Sequence, residues 1–276
     1  MLLGTRIPTA AFRRGISSVL PRISPIIAAA VLLLAACSSA GPAISDPREI
    51  MTQGLEATAD LTSVHVVIGV DGTATLPEMG GGQMNLAGTT LEGDLDIANS
   101  EAHLTFAVPS LLGLSGEVIQ VGPDTYVKTS MTGTTWSKST ASATDPLAEG
   151  MDPTQALAEL RSFLDTDGVE LDKLDDTDCG DRTCYAVRLT VPASVLADTG
   201  TATGVSPGDL VGDALVLDLL FDRQDLWLTQ VSTELSAATV GELTLRLTLS
   251  AFNEDVSIQA PPPDEVTEGG GPILPF

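Results

Sequence analysis

Runs in which every second side chain is apolar occur throughout this chain of 276 residues. The clearest run consists of Leu243, Leu245, Leu247 and Leu249. A period of two places alternate side chains on opposite faces of a β-strand, so the pattern predicts strands with one apolar face. Similar alternation recurs in residues 64–70, 91–97, 104–108 and 215–221. Together with the turn signals between runs, these patterns predict about ten strands.

Helical signals interrupt the strands in three places. Asp46-Pro47 and Asp152-Pro153 each place a capping side chain before a proline, which is typical of a helix start. Apolar residues at helical spacing follow both, which predicts helices over 46–61 and 152–165, and a short third helix is predicted over 192–197. Because the links between strands are short, an antiparallel sheet is favoured. The predicted fold class is therefore α+β, with the apolar stripes of the helices covering the apolar face of the sheet.

The amino-terminal residues have the layout of an export signal. Residues 26–36 are apolar, and the four arginines before them are accompanied by no acidic residue. The run ends in Leu34-Ala35-Ala36-Cys37, which has the form of the lipobox of a bacterial lipoprotein. A single membrane-spanning helix is the alternative, but the run of 11 residues is well short of the roughly 20 needed.

The lipobox predicts how the chain is processed and where it resides. Residues 1–36 are expected to be a signal peptide, and Cys37 is expected to carry a diacylglyceryl group and an N-acyl chain. The protein would then be exported and lipid-anchored in the cell membrane on its extracytoplasmic face. Export by the general secretory route is the default, since Arg13-Arg14 matches a twin-arginine signal only loosely.

Composition divides the rest of the chain into three parts. Residues 37–45 are small and polar and predict a lipidated tether. Residues 46–260 are expected to form a single domain. Residues 261–276, rich in proline and glycine, are expected to form a flexible tail.

The charge of the chain excludes one class of partner. Four of its 13 basic residues lie in the predicted signal, which leaves 9 against 37 acidic residues. Such an excess of negative charge repels phosphate backbones, so no nucleic-acid partner is expected. Anionic lipid head groups are repelled for the same reason, so membrane attachment is expected to depend on the acyl chains.

The cysteines of the chain predict one disulfide bond. Besides Cys37, the chain contains only Cys179 and Cys184, which flank an acidic turn. In an oxidising compartment such a pair most often forms a disulfide, here across a hairpin, with redox activity as a distant alternative. No metal site is expected, because His65 and His103 are far upstream. The acidic turn at 175–181 is interpreted as solvated rather than calcium-binding, since Gly180 occupies the place of a ligand.

Motifs for catalysis are missing from the sequence. It contains neither the Gly-x-Ser-x-Gly elbow nor the His-Glu-x-x-His pair, and two histidines in strand contexts do not supply a triad. We therefore predict no catalytic residue, no cofactor and no enzymatic activity.

Two loops carry apolar residues. The glycine-rich stretch 76–90 predicts either a lid over a ligand or a long hairpin. The turn 109–116 is expected to expose Leu111, Leu112 and Leu114, and exposed apolar turns mark interaction sites. These three leucines are candidates for the mouth of a binding site.

Several short segments, taken in order, resemble one family. They are the lipobox, the opening helix that runs into Leu61-Thr-Ser-Val-His65, the strand Leu91-Glu-Gly-Asp-Leu95, the segment from Tyr126-Val-Lys128 to Trp136, the helix after Asp152-Pro153, and the ending Val256-Ser-Ile-Gln-Ala-Pro-Pro262. In this order and spacing they resemble the mycobacterial LppX/LprG/LprF-type lipoproteins over nearly the whole mature chain. The resemblance implies a half-open, strongly curved antiparallel sheet with helices on its concave face, similar to the LolA-like lipoprotein carriers.

The resemblance also implies a function. Family members bind acyl chains of lipids or lipoglycans in a hydrophobic cavity and carry them through the cell envelope, so a lipid ligand and a membrane lipid exporter are the expected partners. An envelope scaffold or sensor acting through protein contacts is the alternative. The candidate pocket residues are Val66, Ile68, Leu95, Ile97, Leu104, Phe106, Leu157, Leu160 and Phe163.

Overall fold

The computed structural model describes residues 43–76, 82–140, 153–197, 212–237 and 241–268. Three α-helices lie in these ranges, namely α1 (Pro47–Ala59), α2 (Pro153–Phe163) and α3 (Ala193–Ala197), and a single 3-10 turn spans Pro263–Glu265. The strands are β1 (Ser63–Leu76), β2 (Gly82–Asn85), β3 (Thr89–Asp96), β4 (Glu101–Val108), β5 (Leu114–Val121), β6 (Asp124–Thr129), β7 (Trp136–Thr140), β8 (Glu170–Lys173), β9 (Thr177–Cys179), β10 (Arg182–Pro192), β11 (Ala214–Asp222), β12 (Leu228–Ala237), β13 (Gly241–Ser250) and β14 (Val266–Glu268). The predicted signal peptide and Cys37 lie outside the described residues.

The strands form one open, curved sheet in the order β14-β7-β6-β5-β4-β3-β1-β13-β12-β11-β10-β8. Strand β2 pairs with the end of β1, and β9 pairs with β10. All pairings are antiparallel except that of β14 with β7. The α+β prediction is confirmed, and short strands raise the strand number above ten. The antiparallel pairing of β2 with β1 agrees with the hairpin, one of the two alternatives predicted for residues 76–90, while residues 77–81 lie outside the described residues.

Helix α1 begins where the sequence predicts. The side chain of Asp46 accepts a hydrogen bond from the backbone N–H of Arg48, and Pro47 needs no such partner. Ile50, Met51 and Leu55 recur at helical spacing and are at most 2% exposed, so this side of the helix packs against the sheet.

Two contacts seat the carboxyl end of α1 on the sheet. Gly54 lies against the ring of Phe221, so close that a Cβ atom there would come within 2.3 Å of a ring carbon. The hydroxyl of Thr58 donates to the carbonyl of Gly54 at 2.7 Å and accepts the backbone N–H of Leu228 at 2.8 Å. The helix is therefore both packed and hydrogen-bonded to β11 and β12.

The disulfide between Cys179 and Cys184 is confirmed. It joins β9 to β10, and the two Cα atoms are 5.9 Å apart, which is within the ordinary range. In the acidic turn, Asp176 lies 3.3 Å from the guanidinium of Arg223 and also pairs with Lys173. This carboxylate is engaged in ion pairs within the fold.

The boundaries predicted for the domain need correction at both ends. Ile44 packs against the core beneath α1, and its backbone N–H donates to the hydroxyl of Tyr185 at 3.1 Å, so the tether ends before it. Residues 261–268 are not a loose tail, because β14 pairs in parallel with β7 and Val266 packs near Trp136. Prolines did not prevent this, since extended backbone accommodates them and the edge of β7 was open for pairing.

Candidate functional site

One apolar row crosses the middle of the sheet. Directly paired residues of antiparallel strands point to the same face, so the register identifies which side chains lie side by side. Across β4, β3, β1, β13, β12, β11 and β10 the row reads Phe106, Leu91, Ile68, Leu247, Val231, Leu219 and Val187. We call this set the transverse row.

The β10 and β11 end of the transverse row is covered. Leu219 and Val187 are both 0% exposed. They belong to a cluster that includes Ile50, Met51 and Leu55 of α1, with Leu157, Leu160 and Phe163 of α2 packed against it. This half of the apolar face is an ordinary filled core beneath the helices.

The other end of the transverse row is open. Phe106, Leu91, Ile68 and Leu247 are all partly exposed, although they belong to the same row. Val231, which lies between Leu247 and Leu219, is also partly exposed but packs against the covered cluster. On the same face of β13, Leu243, Leu245 and Leu249 are also partly exposed. We call this region, carried by β13, β1, β3 and β4, the open half of the face.

The open half is built from strands. At its centre, Val66, Ala102, Leu104, Val118 and Val127 form a buried cluster in which each residue is 2–7% exposed, and the partly exposed apolar side chains packed against this cluster also come from strands. Charged side chains of β1, β3, β4 and β13 alternate onto the opposite face, which leaves the open half uncharged. A surface with this chemistry favours hydrocarbon and disfavours an ionised group.

The structure divides the predicted pocket residues into three sets. Val66, Ile68, Leu95, Leu104 and Phe106 lie together in or against the cluster of the open half. Leu157, Leu160 and Phe163 pack instead against the core beneath α1. Ile97 follows the end of β3 in the turn 97–100, so it does not continue the row of that strand.

The leucines of β13 were not among the predicted pocket residues. Leu249 and Leu247 pair with Val66 and Ile68, which places them at the centre of the open half. Their alternation predicted a strand, but the long-range pairing of β13 with β1 has no local signal. The position of these leucines at the site therefore depends on tertiary structure.

The turn between β4 and β5 corrects one expectation and supports another. Leu114 is only 3% exposed, because it begins β5 and pairs with Val108. Leu112 is fully exposed, and its φ of +55° lies in the left-handed region that favours glycine. For a residue with a Cβ atom, this left-handed conformation is about 1–2 kcal/mol higher in free energy than the ordinary right-handed one.

On β1, β3 and β4 the opposite face of the sheet is mainly polar, whereas on β5, β6 and β7 it carries a buried cluster of Ile119, Tyr126 and Trp136. Nδ1 of His65 lies 2.7 Å from a carboxylate oxygen of Asp94, as expected for a histidine outside the apolar row. A pocket of about 230 Å³ lies between this face and residues 251–258, and both histidines of the chain line it. Within the described parts of the chain, no group of histidine, cysteine and carboxylate side chains is arranged to hold a metal ion.

One carboxylate on this face has a shifted pKa. The ammonium of Lys128 donates a hydrogen bond to Glu117 at 2.9 Å, and this holds the pKa of the carboxyl below its ordinary value. Partial burial opposes the shift, and His103 adds a smaller lowering. Lys128 also lies 4.4 Å from the ring centroid of Trp136, so it joins β5, β6 and β7 on this face.

Two solved structures share this architecture. Lipoprotein LppX from Mycobacterium tuberculosis superposes with a TM-score of 0.50 at 21% identity, covering 78% of this chain and 100% of LppX. LprF from Mycobacterium bovis superposes with a TM-score of 0.53 at 17% identity, covering 80% of this chain and 99% of LprF. This chain has the LppX and LprF fold.

The remaining comparisons find no match. No family model matches the chain, and no curated protein sequence matches it.

None of the helices in the described ranges combines the length and apolar character needed to cross a membrane.

Proposed function

We propose that this protein is an exported, membrane-anchored lipoprotein that binds acyl chains of lipids or lipoglycans on the open half of its apolar face. It would carry them through the cell envelope and exchange them with a membrane lipid exporter. The observation that carries the proposal is the transverse row, which continues from fully buried Leu219 to partly exposed Leu247 and Phe106.

Energetics supports hydrocarbon as the ligand. Each methylene removed from water contributes about 0.8 kcal/mol, so an acyl chain of ordinary length has enough apolar surface to offset the cost of association. The ligand would gain this free energy along Ile68, Leu247 and Phe106. Its polar or charged head group would stay at the edge, because the open half offers it no charged partner.

The predicted lipid at Cys37 complements this activity. Acyl chains on that residue would hold the protein at the membrane that supplies or receives its cargo. The fold of LppX, which is itself a lipoprotein, is compatible with this arrangement. Intact-mass measurement of the protein extracted from membranes should show a chain that begins at Cys37 and carries added acyl mass, and Cys37→Ser should abolish the added mass.

The binding claim is tested by a matched pair of variants on β13. Leu247→Gln places a polar amide on the open half, whereas Thr248→Gln places the same amide on the opposite face. Full-length protein is purified from membranes, and non-covalently bound lipid is extracted with organic solvent and quantified by mass spectrometry. We expect acyl lipid with the unsubstituted chain and with Thr248→Gln, and several-fold less with Leu247→Gln.

Two outcomes would contradict the proposal. One is the absence of extractable lipid from the unsubstituted chain, together with no uptake of a fluorescent fatty acid. The other is equal lipid content in both variants when their denaturation midpoints match. Either result would favour a scaffold or sensor that acts through protein contacts.

A further inference from the structure

Two hairpin tips present the most exposed large apolar side chains of the described residues. Leu112 is 105% exposed relative to an extended reference, and Met131 is 67% exposed. Leu112 lies in the β4–β5 tip (residues 109–113), and Met131 lies in the β6–β7 tip (residues 130–135). Large apolar side chains in full contact with water mark interaction surfaces when they occur together.

The two tips are direct neighbours at one end of the sheet. The backbone N–H of Ser130 donates to the carbonyl of Ser115 at 2.7 Å, and the N–H of Ser115 donates to the hydroxyl of Ser130 at 3.3 Å. These bonds join the base of one tip to the base of the other. The tips therefore form a single protruding surface rather than two independent loops.

Leu112 is held in a conformation that a different residue would adopt more easily. Its φ of +55° favours glycine or asparagine, and its side chain packs against nothing that would repay the strain. Folding of the isolated chain does not explain an exposed leucine at this position. A contact outside the folded chain does.

Several backbone donors of the two tips are already hydrogen-bonded within the fold. Gly113 donates to the carbonyl of Pro109 at 3.0 Å, and Leu114 donates to that of Leu111 at 3.0 Å. In the other tip, the backbone N–H of Thr132 donates to the carbonyl of Thr129 at 3.0 Å. Because these donors are satisfied internally, the tips can enter an apolar medium without leaving them unpaired.

The tips carry no charge although the chain as a whole is strongly acidic. Residues 109–116 and 129–137 contain no charged side chain, although the whole chain has a net charge of −24. An acidic surface is repelled by anionic lipid head groups, so an uncharged protrusion is the part that can approach them. A protein partner would need a groove to receive a protruding apolar surface, whereas the fluid hydrocarbon of a membrane can adapt to it.

We propose that the two tips insert Leu112 and Met131 into the hydrocarbon layer of a membrane. The β4–β5 tip directly continues the strand that carries Phe106, the outermost member of the transverse row on β4. Insertion would bring that end of the open half to the membrane. The choice of a membrane as the partner rests on the proposed function, but insertion can be tested separately from lipid binding.

The test measures how deeply each tip enters a bilayer. An environment-sensitive fluorophore is attached to a cysteine introduced by Leu112→Cys, Met131→Cys or Pro123→Cys in the full-length chain, in vesicles of phosphatidylethanolamine and phosphatidylglycerol. Pro123 is exposed in the turn at the other end of β5 and serves as the control site. The unsubstituted chain measures background labelling. We expect nitroxides on the acyl chains to quench probes at 112 and 131 several-fold more than at 123.

A conservative variant separates insertion from folding. Leu112→Asn suits the left-handed backbone and removes the apolar group, so the denaturation midpoint should stay the same or rise. The probe at 131 should nevertheless lose most of its quenching. Equal quenching at all three sites, or quenching at 131 that Leu112→Asn leaves unchanged, would overturn the proposal.

Extractable lipid is measured on the same preparations. If the tips are quenched but the chain holds no non-covalent lipid, insertion is supported and the proposed carrier function fails. If lipid is bound but the tips are not quenched, the carrier function is supported and insertion fails.

Discussion

The two ends of the transverse row have the same chemistry and different surroundings. At β10 and β11, Val187 and Leu219 are sealed beneath α1 and α2. At β1 and β13, Ile68 and Leu247 lie in the same row and remain partly exposed. A folded chain gains stability from the first arrangement and gives up some in the second, which is expected when an apolar surface is kept for a ligand.

The largest expected effect compares the same truncation at the two ends. Leu219→Ala leaves a cavity in a filled core and should cost about 2–5 kcal/mol of unfolding free energy. Leu247→Ala removes a side chain that is already partly in contact with solvent, so it should cost less than about 2 kcal/mol. Chemical denaturation of both variants measures the difference. Equal costs would show that the open half is as closely packed as the covered half.

A second comparison adds a methyl group to a glycine of the covered end and to a glycine of β1, a strand that carries the open half. Gly54→Ala gains about 0.5–1 kcal/mol in helix propensity but forces a Cβ atom into the ring of Phe221, and such overpacking costs about 1–3 kcal/mol. A net loss of stability is therefore expected. Gly69→Ala on β1 is the matched control, since no atom lies within 4 Å of its added Cβ. If thermal denaturation shows Gly54→Ala to be as stable as Gly69→Ala, α1 is not tightly seated.

Removing the disulfide tests whether it stabilises the end of the sheet that the helices cover. Cys184 is 0% exposed on β10, the strand that carries Val187. Replacing both Cys179 and Cys184 by alanine should cost about 2 kcal/mol, because a short loop is no longer closed in the unfolded chain. Lipid content should be unchanged, since the open half is on other strands. Loss of bound lipid without loss of stability would contradict that separation.

The smallest expected effect is a pH dependence on the polar face. The folded-state pKa of Glu117 is lowered by its hydrogen bond to Lys128, so the pair contributes stability above the unfolded pKa of about 4.3. This contribution should be lost as the pH falls through the lower folded-state value. As a partly exposed pair it should be worth less than about 1 kcal/mol. Lys128→Gln should flatten that part of the stability curve, and an unchanged curve would show that the pair contributes nothing.

Local patterns were sufficient to predict much of the fold. Asp46-Pro47 predicted the start of α1 because capping and proline chemistry operate within one turn. Alternation predicted β13, and the short spacing of Cys179 and Cys184 predicted their disulfide. Each of these features depends on residues that are close together in the chain.

Features that depend on distant residues were not predicted. The pairing of β13 with β1 joins segments about two-thirds of the chain apart, and it alone makes Leu247 a neighbour of Ile68. Proline content suggested a loose end, yet Val266 packs against a cluster that contains Trp136. Every second residue is apolar in both β11 and β13, so alternation predicted an apolar face for each strand but not that helices cover only β11.

Mapping the contact of an acyl chain tests the central claim most directly. A fatty acid with a photoactivatable group on its chain is bound to the full-length protein, cross-linked by light, and located by peptide mass spectrometry. We expect labelling on Phe106, Leu91, Ile68 and Leu247, with little on the adjoining residues Thr105 and Thr248, which lie on the opposite face. Labelling confined to the polar face, or no labelling while the protein remains folded, would contradict the account.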